Sequence, residues 1–203
     1  MDDNNYRYIG KHVSRADGRD LVSGRRPFID DVRIPGMLMA RVLRSPYPHA
    51  NIVKIDTTKA KAAPGVRAVL TYKDAPDWKC GLPQHRKVLD QRVRFTGDSV
   101  ALVAAETLEA ADEACRQIEV EDEELPFVLD CEEAIKPDAP QLYDEFPGNV
   151  LPKVTPFSEE PFNQIHVGDV EKAFEEAAYV AEGYYCYDKL PHPLPPESPG
   201  VIA

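Results

Sequence analysis

The chain has 203 residues, enough for one large domain or for a compact domain with a further segment. Hydrophobic residues make up 43% and charged residues 29%, which suits a packed core and excludes wholesale disorder. The net charge of −11 excludes the basic footprint that a nucleic-acid binder needs, and it disfavours docking on an acidic membrane surface.

Residues 1–27 are polar and carry several basic groups, from Arg7 and Lys11 to Arg25 and Arg26. They read as an extended arm that orders only against something else. Pro35-Gly36 signals a turn, and Met37 to Arg44 reads as a strand. Ser45-Pro46-Tyr47-Pro48 breaks it, and a second strand follows from Ala50 to Ile55. Asp56 is a fitting cap for a short helix over 57–63, which Pro64-Gly65 stops. Val66 to Tyr72 is a strand. Residues 73–87 show no period and read as a long loop holding Trp78, Cys80 and His85.

Val88 to Phe95 is strand-like, and Gly97-Asp98 reads as a hairpin turn. Ser99 to Ala105 is apolar on both faces, which predicts burial on both. Thr107 caps a helix to about Gln117, with Leu108, Ala111, Cys115 and Ile118 at intervals of three and four. Ile118 to Glu121 resumes an extended course with its glutamates outward. Asp130 opens a helical turn, with Glu133 as its capping-box partner. A last helix spans about 169–177, capped by Asp169, and a strand is predicted from Ala178 to Tyr187. Its Phe174 and Tyr184 face has no evident cover, so this portion reads as the least stable. Prolines concentrate between Pro147 and Pro199 and dominate the last sixteen residues.

Chemistry-bearing residues are sparse. Cys80, Cys115, Cys131 and Cys186 form no CxxC pair, which argues against a zinc ribbon or an iron–sulfur site in this chain. Cys115, on the helical stripe, reads as a buried free thiol. The five histidines share no ligand spacing, so no metal site is assigned. His49 reads as a structural hydrogen-bonder, and Arg44 as one half of an ion pair, either within the domain or between subunits. No signal peptide pattern opens the chain and no apolar run is long enough to span a bilayer, so the expected location is cytoplasmic.

Several short motifs occur in order: Asp17-Gly18 with Val22-Ser23-Gly24, Phe28-Ile29-Asp30-Asp31, Pro35-Gly36-Met37-Leu38, Arg44-Ser45-Pro46-Tyr47-Pro48-His49-Ala50, Pro64-Gly65-Val66, Gly97-Asp98-Ser99-Val100-Ala101, Glu124-Leu125-Pro126 and Gly168-Asp169-Val170. The series resembles the a/b hammerhead domain of the aldehyde oxidase and xanthine dehydrogenase family, followed by the opening of its molybdopterin-binding domain. The resemblance runs from about Ile9 to Ala203.

It implies an α+β fold of mixed strands with packed helices, then a Pro-rich partial second domain. The domains it implies are an arm over 1–19, a hammerhead over 20–135, a linker over 136–164, and an incomplete start of the molybdopterin-binding domain over 165–203. It also implies an oxidoreductase that hydroxylates a heterocycle or aldehyde-type carbon with oxygen from water. The cofactors would be molybdenum-molybdopterin in the complete enzyme, with iron–sulfur clusters and FAD on partner domains, and none on this chain alone. The partners would be the rest of the molybdenum-binding subunit and the iron–sulfur and flavin subunits, with no nucleic acid and no membrane.

No catalytic residue is carried over, because the family's general base lies downstream. Family position alone brings His192 and Glu197 near the metal centre. Two departures stand out. Pro191 occupies about the place of a glutamine that bonds a molybdenum ligand, and proline has no side-chain polar group. Asp122 occupies a place where tyrosine is usual, which leaves its orientation open. The alternative reading is a stand-alone accessory or scaffold subunit, or an interaction module without redox activity. The ending at Gly200-Val201-Ile202-Ala203 suggests truncation or a split gene.

Overall fold

The computed structural model describes residues 6, 8–81, 85–150, 167–186, 193–195, 197 and 199–202. The chain divides into two compact units, Gly36–Val180 and a second made of Met1–Pro35 with Ala181–Ala203.

The larger unit is built on two small three-stranded sheets. The first has the order β1 (Met39–Arg44), β7 (Ser99–Ala105), β3 (Val66–Thr71). The second has the order β6 (Arg92–Val93), β2 (Ala50–Asp56), β8 (Glu119–Glu124). A two-residue ladder joins β4 (Lys79–Cys80) to β5 (Arg86–Lys87) inside the expected loop. Two helices carry the chain between the sheets: α2 (Thr58–Ala62) after β2, and α3 (Leu108–Arg116) after β7. Each strand–helix–strand unit therefore changes sheet, so no parallel pair arises. Every pairing among the described residues is antiparallel, not mixed as expected.

Local chemistry explains the helix positions. The Thr107 hydroxyl accepts the Ala110 N–H at 3.1 Å, and the Asp56 carboxylate accepts the Thr58 N–H at 2.8 Å. α3 packs on β1 and β7, and α2 on β3 and α3. Ala111 and Ala114 bring α3 close to the first sheet, and Ile52, Val93 and Val103 are the largest fully buried side chains. Cys115 is only partly buried, and desolvation pushes its thiol pKa up.

A bulge in β2 breaks its alternation. The register against β8 shifts between Ile52 and Lys54, leaving Val53 exposed. Residues three apart in a regular strand face opposite ways, but the extra residue returns Ile52 and Ile55 to the same buried face. Asp122 pairs directly with Ile52 and so points to that inner face. Burial there raises its carboxyl above the usual carboxylate range. This settles the orientation that the sequence left open.

Several elements differ from expectation. Of the strand expected over 88–95 only Arg92–Val93 remains, because Gln91 bonds Ile52 through its carbonyl (2.8 Å) and its side-chain amide (3.2 Å) instead of through a ladder. β7 is buried at Val100, Ala101, Val103 and Ala105, while Leu102 and Ala104 are half-buried, so its second face is not fully covered. α4 (Cys131–Ala134) forms as expected, with Asp130 accepting the Glu132 and Glu133 N–H groups, but Glu133 pairs with Lys136 and does not close a capping box. α5 (Val170–Glu176) forms under the Asp169 cap with no buried residue. No strand follows over 178–186, where exposed chain lies beside no other strand among the described residues. Residue 187 of that expected strand lies outside the described residues.

In the smaller unit the arm holds a short helix, α1 (Gly18–Val22), instead of being wholly extended. Arg15 and Arg26 both pair with Asp17 just before it, and Arg15 holds the Asp17 carboxyl below its usual range.

Candidate functional site

Three polar constellations stand out. The first is the corner from β1 into β2. Ser45 donates its N–H to the Asp98 carbonyl at 2.9 Å, and its own carbonyl accepts the Gly97 N–H at 2.8 Å. Gly97 has φ +94°, which an L side chain rarely adopts. The buried Asp98 carboxylate accepts the Arg94 N–H (3.1 Å) and the Ser99 N–H (2.9 Å), so Gly97-Asp98 is a tied turn, but not the expected hairpin, because β6 and β7 belong to different sheets.

Among the described residues Arg44 does not form the intra-domain ion pair. It donates to the Gly97 carbonyl at 3.1 Å and the Ser99 hydroxyl at 3.3 Å, and forms no ion pair among the described residues. A carbonyl and a hydroxyl at the bulge take the place of the expected carboxylate. His49 is buried, with Nδ1 2.7 Å from the Pro126 carbonyl. A carbonyl only accepts, so Nδ1 carries the proton. Nε2 is buried and has no hydrogen-bond partner among the described residues. His49 thus ties β2 to the chain after β8, the structural role its position suggested.

The second constellation lines a cavity of about 490 Å³, with residues from 79–94 on one side and 143–145 on the other. Its charges are neutralised internally. Lys79 pairs with Glu145 (2.6 Å), Lys87 with Asp77 (2.5 Å) and Arg94 with Asp90 (2.7 Å). The Arg94 guanidinium also lies 4.6 Å from the Tyr143 ring centre and donates to the Leu142 carbonyl at 3.0 Å. Tyr143 meets His85 edge-on at 5.1 Å, and burial pushes its hydroxyl pKa up. Sequence reasoning passed over Arg94 and Tyr143, and their separation along the chain left no periodic signal. The arrangement fastens the 141–149 segment to the unit. Its cations are already matched by carboxylates, so it offers a new anion no free charge.

The third constellation involves Glu197. Its Oε1 accepts the Ile29 N–H at 3.1 Å, and its Oε2 lies 3.7 Å from Arg26 Nη2. His192 and Pro191 lie outside the described residues. Among the described residues no group of three or more His, Cys, Asp or Glu side chains is placed to hold a metal ion. No helix among them is long and apolar enough to cross a membrane.

Residues 23–126 match the family described as aldehyde oxidase and xanthine dehydrogenase, a/b hammerhead domain. A probable xanthine dehydrogenase chain of Bacillus subtilis (strain 168) is 40% identical over 84% of this chain and 22% of its own length. The nicotinate dehydrogenase large molybdopterin subunit of Eubacterium barkeri is 33% identical over 92% of this chain and 42% of its own length. Among solved structures, a Cu,Mo-CO dehydrogenase in its carbon monoxide reduced state superposes with a TM-score of 0.65 at 33% identity, over 84% of this chain and 23% of that one. The chain thus spans less than half the length of each of these relatives. The antiparallel sheets joined by crossing helices, and this sequence match across them, place the chain in the aldehyde oxidase and xanthine dehydrogenase a/b hammerhead family.

Proposed function

We propose that this chain is the N-terminal, non-catalytic portion of the molybdenum-binding subunit of a xanthine dehydrogenase-type hydroxylase. The observation that carries the proposal is the family match across 23–126 together with relatives named for xanthine dehydrogenase and for a molybdopterin subunit. The hammerhead then occupies 20–135, a linker 136–164, and the start of the molybdopterin-binding domain 165–203. Molybdenum bound by its pterin supplies the chemistry of such enzymes, hydroxylation of a heterocycle or aldehyde-type carbon with oxygen from water. Iron–sulfur and flavin subunits or domains take the electrons onward. The tail with His192 and Glu197 is the part of this chain that comes nearest the metal. The location is cytoplasmic.

The described residues do not themselves fit a pterin holder. A phosphate-bearing pterin needs convergent free donors. The cations around the large cavity are spent on carboxylates, and Glu197 is spent on the Ile29 N–H. No reaction step is therefore assigned to them. What they supply is a two-sheet body to which Lys79–Glu145 and Arg94–Tyr143 tie the 141–149 segment.

The test is to express the 203-residue chain alone and, separately, to recover the tagged chain from its native cell. Both are assayed with aldehyde and purine substrates and an artificial electron acceptor. The proposal expects turnover only from the native material. Turnover by the isolated chain, or none from native material with any such substrate, contradicts it.

A further inference from the structure

The smaller unit raises a question that the family match does not answer: what holds a polar arm and a Pro-rich tail together? Little apolar burial does so, since no residue of α1 or of the 29–31 turn is buried. Among the described residues, contacts that join the segments converge on the turn at residue 29. One is polar. The Glu197 carboxylate accepts the Ile29 N–H at 3.1 Å, while Arg26, already paired with Asp17, sits 3.7 Å from its other oxygen. Another is steric. A methyl group added at Gly200 would lie 2.7 Å from Ile29 Cγ1, so the tail backbone runs directly against that side chain.

We propose that Glu197 is a latch: it fastens the tail around 197–202 to the arm around 26–31, with Arg26 as the positioning residue that aims its carboxylate. The physical basis is a charge-assisted hydrogen bond, about twice as strong as a neutral one, seated beside a guanidinium fixed from behind by Asp17. Both side chains are partly exposed, so the ion pair itself contributes little and the N–H···carboxylate bond dominates. A side chain at Gly200 would have to displace Ile29. The latch makes arm and tail one cooperative element. Whatever orders the arm therefore also sets the course of the tail.

Amide hydrogen exchange by NMR on the 203-residue chain tests this at the Ile29 N–H. In the unaltered chain that amide is protected. Glu197→Ala speeds its exchange about tenfold. Glu197→Gln keeps a carbonyl acceptor and retains most of the protection. Arg26→Met speeds exchange about threefold, and Arg26→Lys restores it. The amides of 99–105 stay protected throughout and report that the larger unit is folded. If Glu197→Ala lowers protection there too, Glu197→Gln decides. An Ile29 amide that exchanges at the open-chain rate in the unaltered protein overturns the latch, as does one indifferent to both Glu197 variants. Neither result bears on the molybdenum reading, which metal content decides separately.

Discussion

β7 carries the sharpest energetic prediction because its two faces meet different surroundings. Val103 is fully buried, while Leu102 is half-buried on the opposite face. Val103→Ala removes two methyl-sized groups. At about 0.8 kcal/mol each the transfer loss is about 1.6 kcal/mol. The helix-covered site cannot collapse fully, so a residual cavity raises the cost to about 2–3 kcal/mol. Leu102→Ala removes more carbon, but from a half-buried position, and costs about 1 kcal/mol. Urea denaturation followed by far-ultraviolet circular dichroism measures both. Trp78 is 74% exposed and is a poor fluorescent reporter of the core. If Leu102→Ala costs as much as Val103→Ala, the assignment of the inner face is wrong.

Three further predictions follow from single residues. Asp122→Asn stabilises the chain at neutral pH. The folded carboxyl of Asp122 is raised above the ordinary value of 3.8, so its destabilising effect appears as pH rises through that value and is absent below it. The gain over the unaltered chain must therefore vanish in acid, and denaturation curves across pH would show it; a gain independent of pH would refute the desolvation account. Gly97→Ala costs about 1 kcal/mol through positive φ alone, because no atom crowds the added methyl; a thermal melt showing no loss contradicts the turn. Arg94→Lys removes the forked contact to Asp90 and Leu142 and loosens residues 141–149, so limited proteolysis should cut there faster, while unchanged cleavage would show that Arg94 does not fasten the segment.

What could be read in advance was local. The Thr107 cap, the three-and-four spacing of Leu108, Ala111 and Cys115, and the double-sided apolarity of Ser99–Ala105 each lie within one element, and periodicity encodes them. The short motifs pointed to the family for a similar reason, since turns such as Gly97-Asp98 need particular residues at fixed places. The rest is non-local. The bulge at Val53 depends on the β8 register, and only that register shows Asp122 facing inward. Val88–Phe95 looks like a strand in composition, yet Gln91 side-chain bonding replaces most of its ladder. The Glu197 contact joins positions 168 apart, and no spacing rule reaches that far.

Membership of a molybdenum enzyme, to which this chain contributes structure, is the central claim. The most direct measurement is the molybdenum content of native material captured through a tag on this chain, with the mass of the polypeptide that carries the tag. The expected result is molybdenum equimolar with the tagged chain, held within one longer polypeptide or in a tightly bound partner. A monodisperse tagged chain that carries no molybdenum and no partner would contradict the claim.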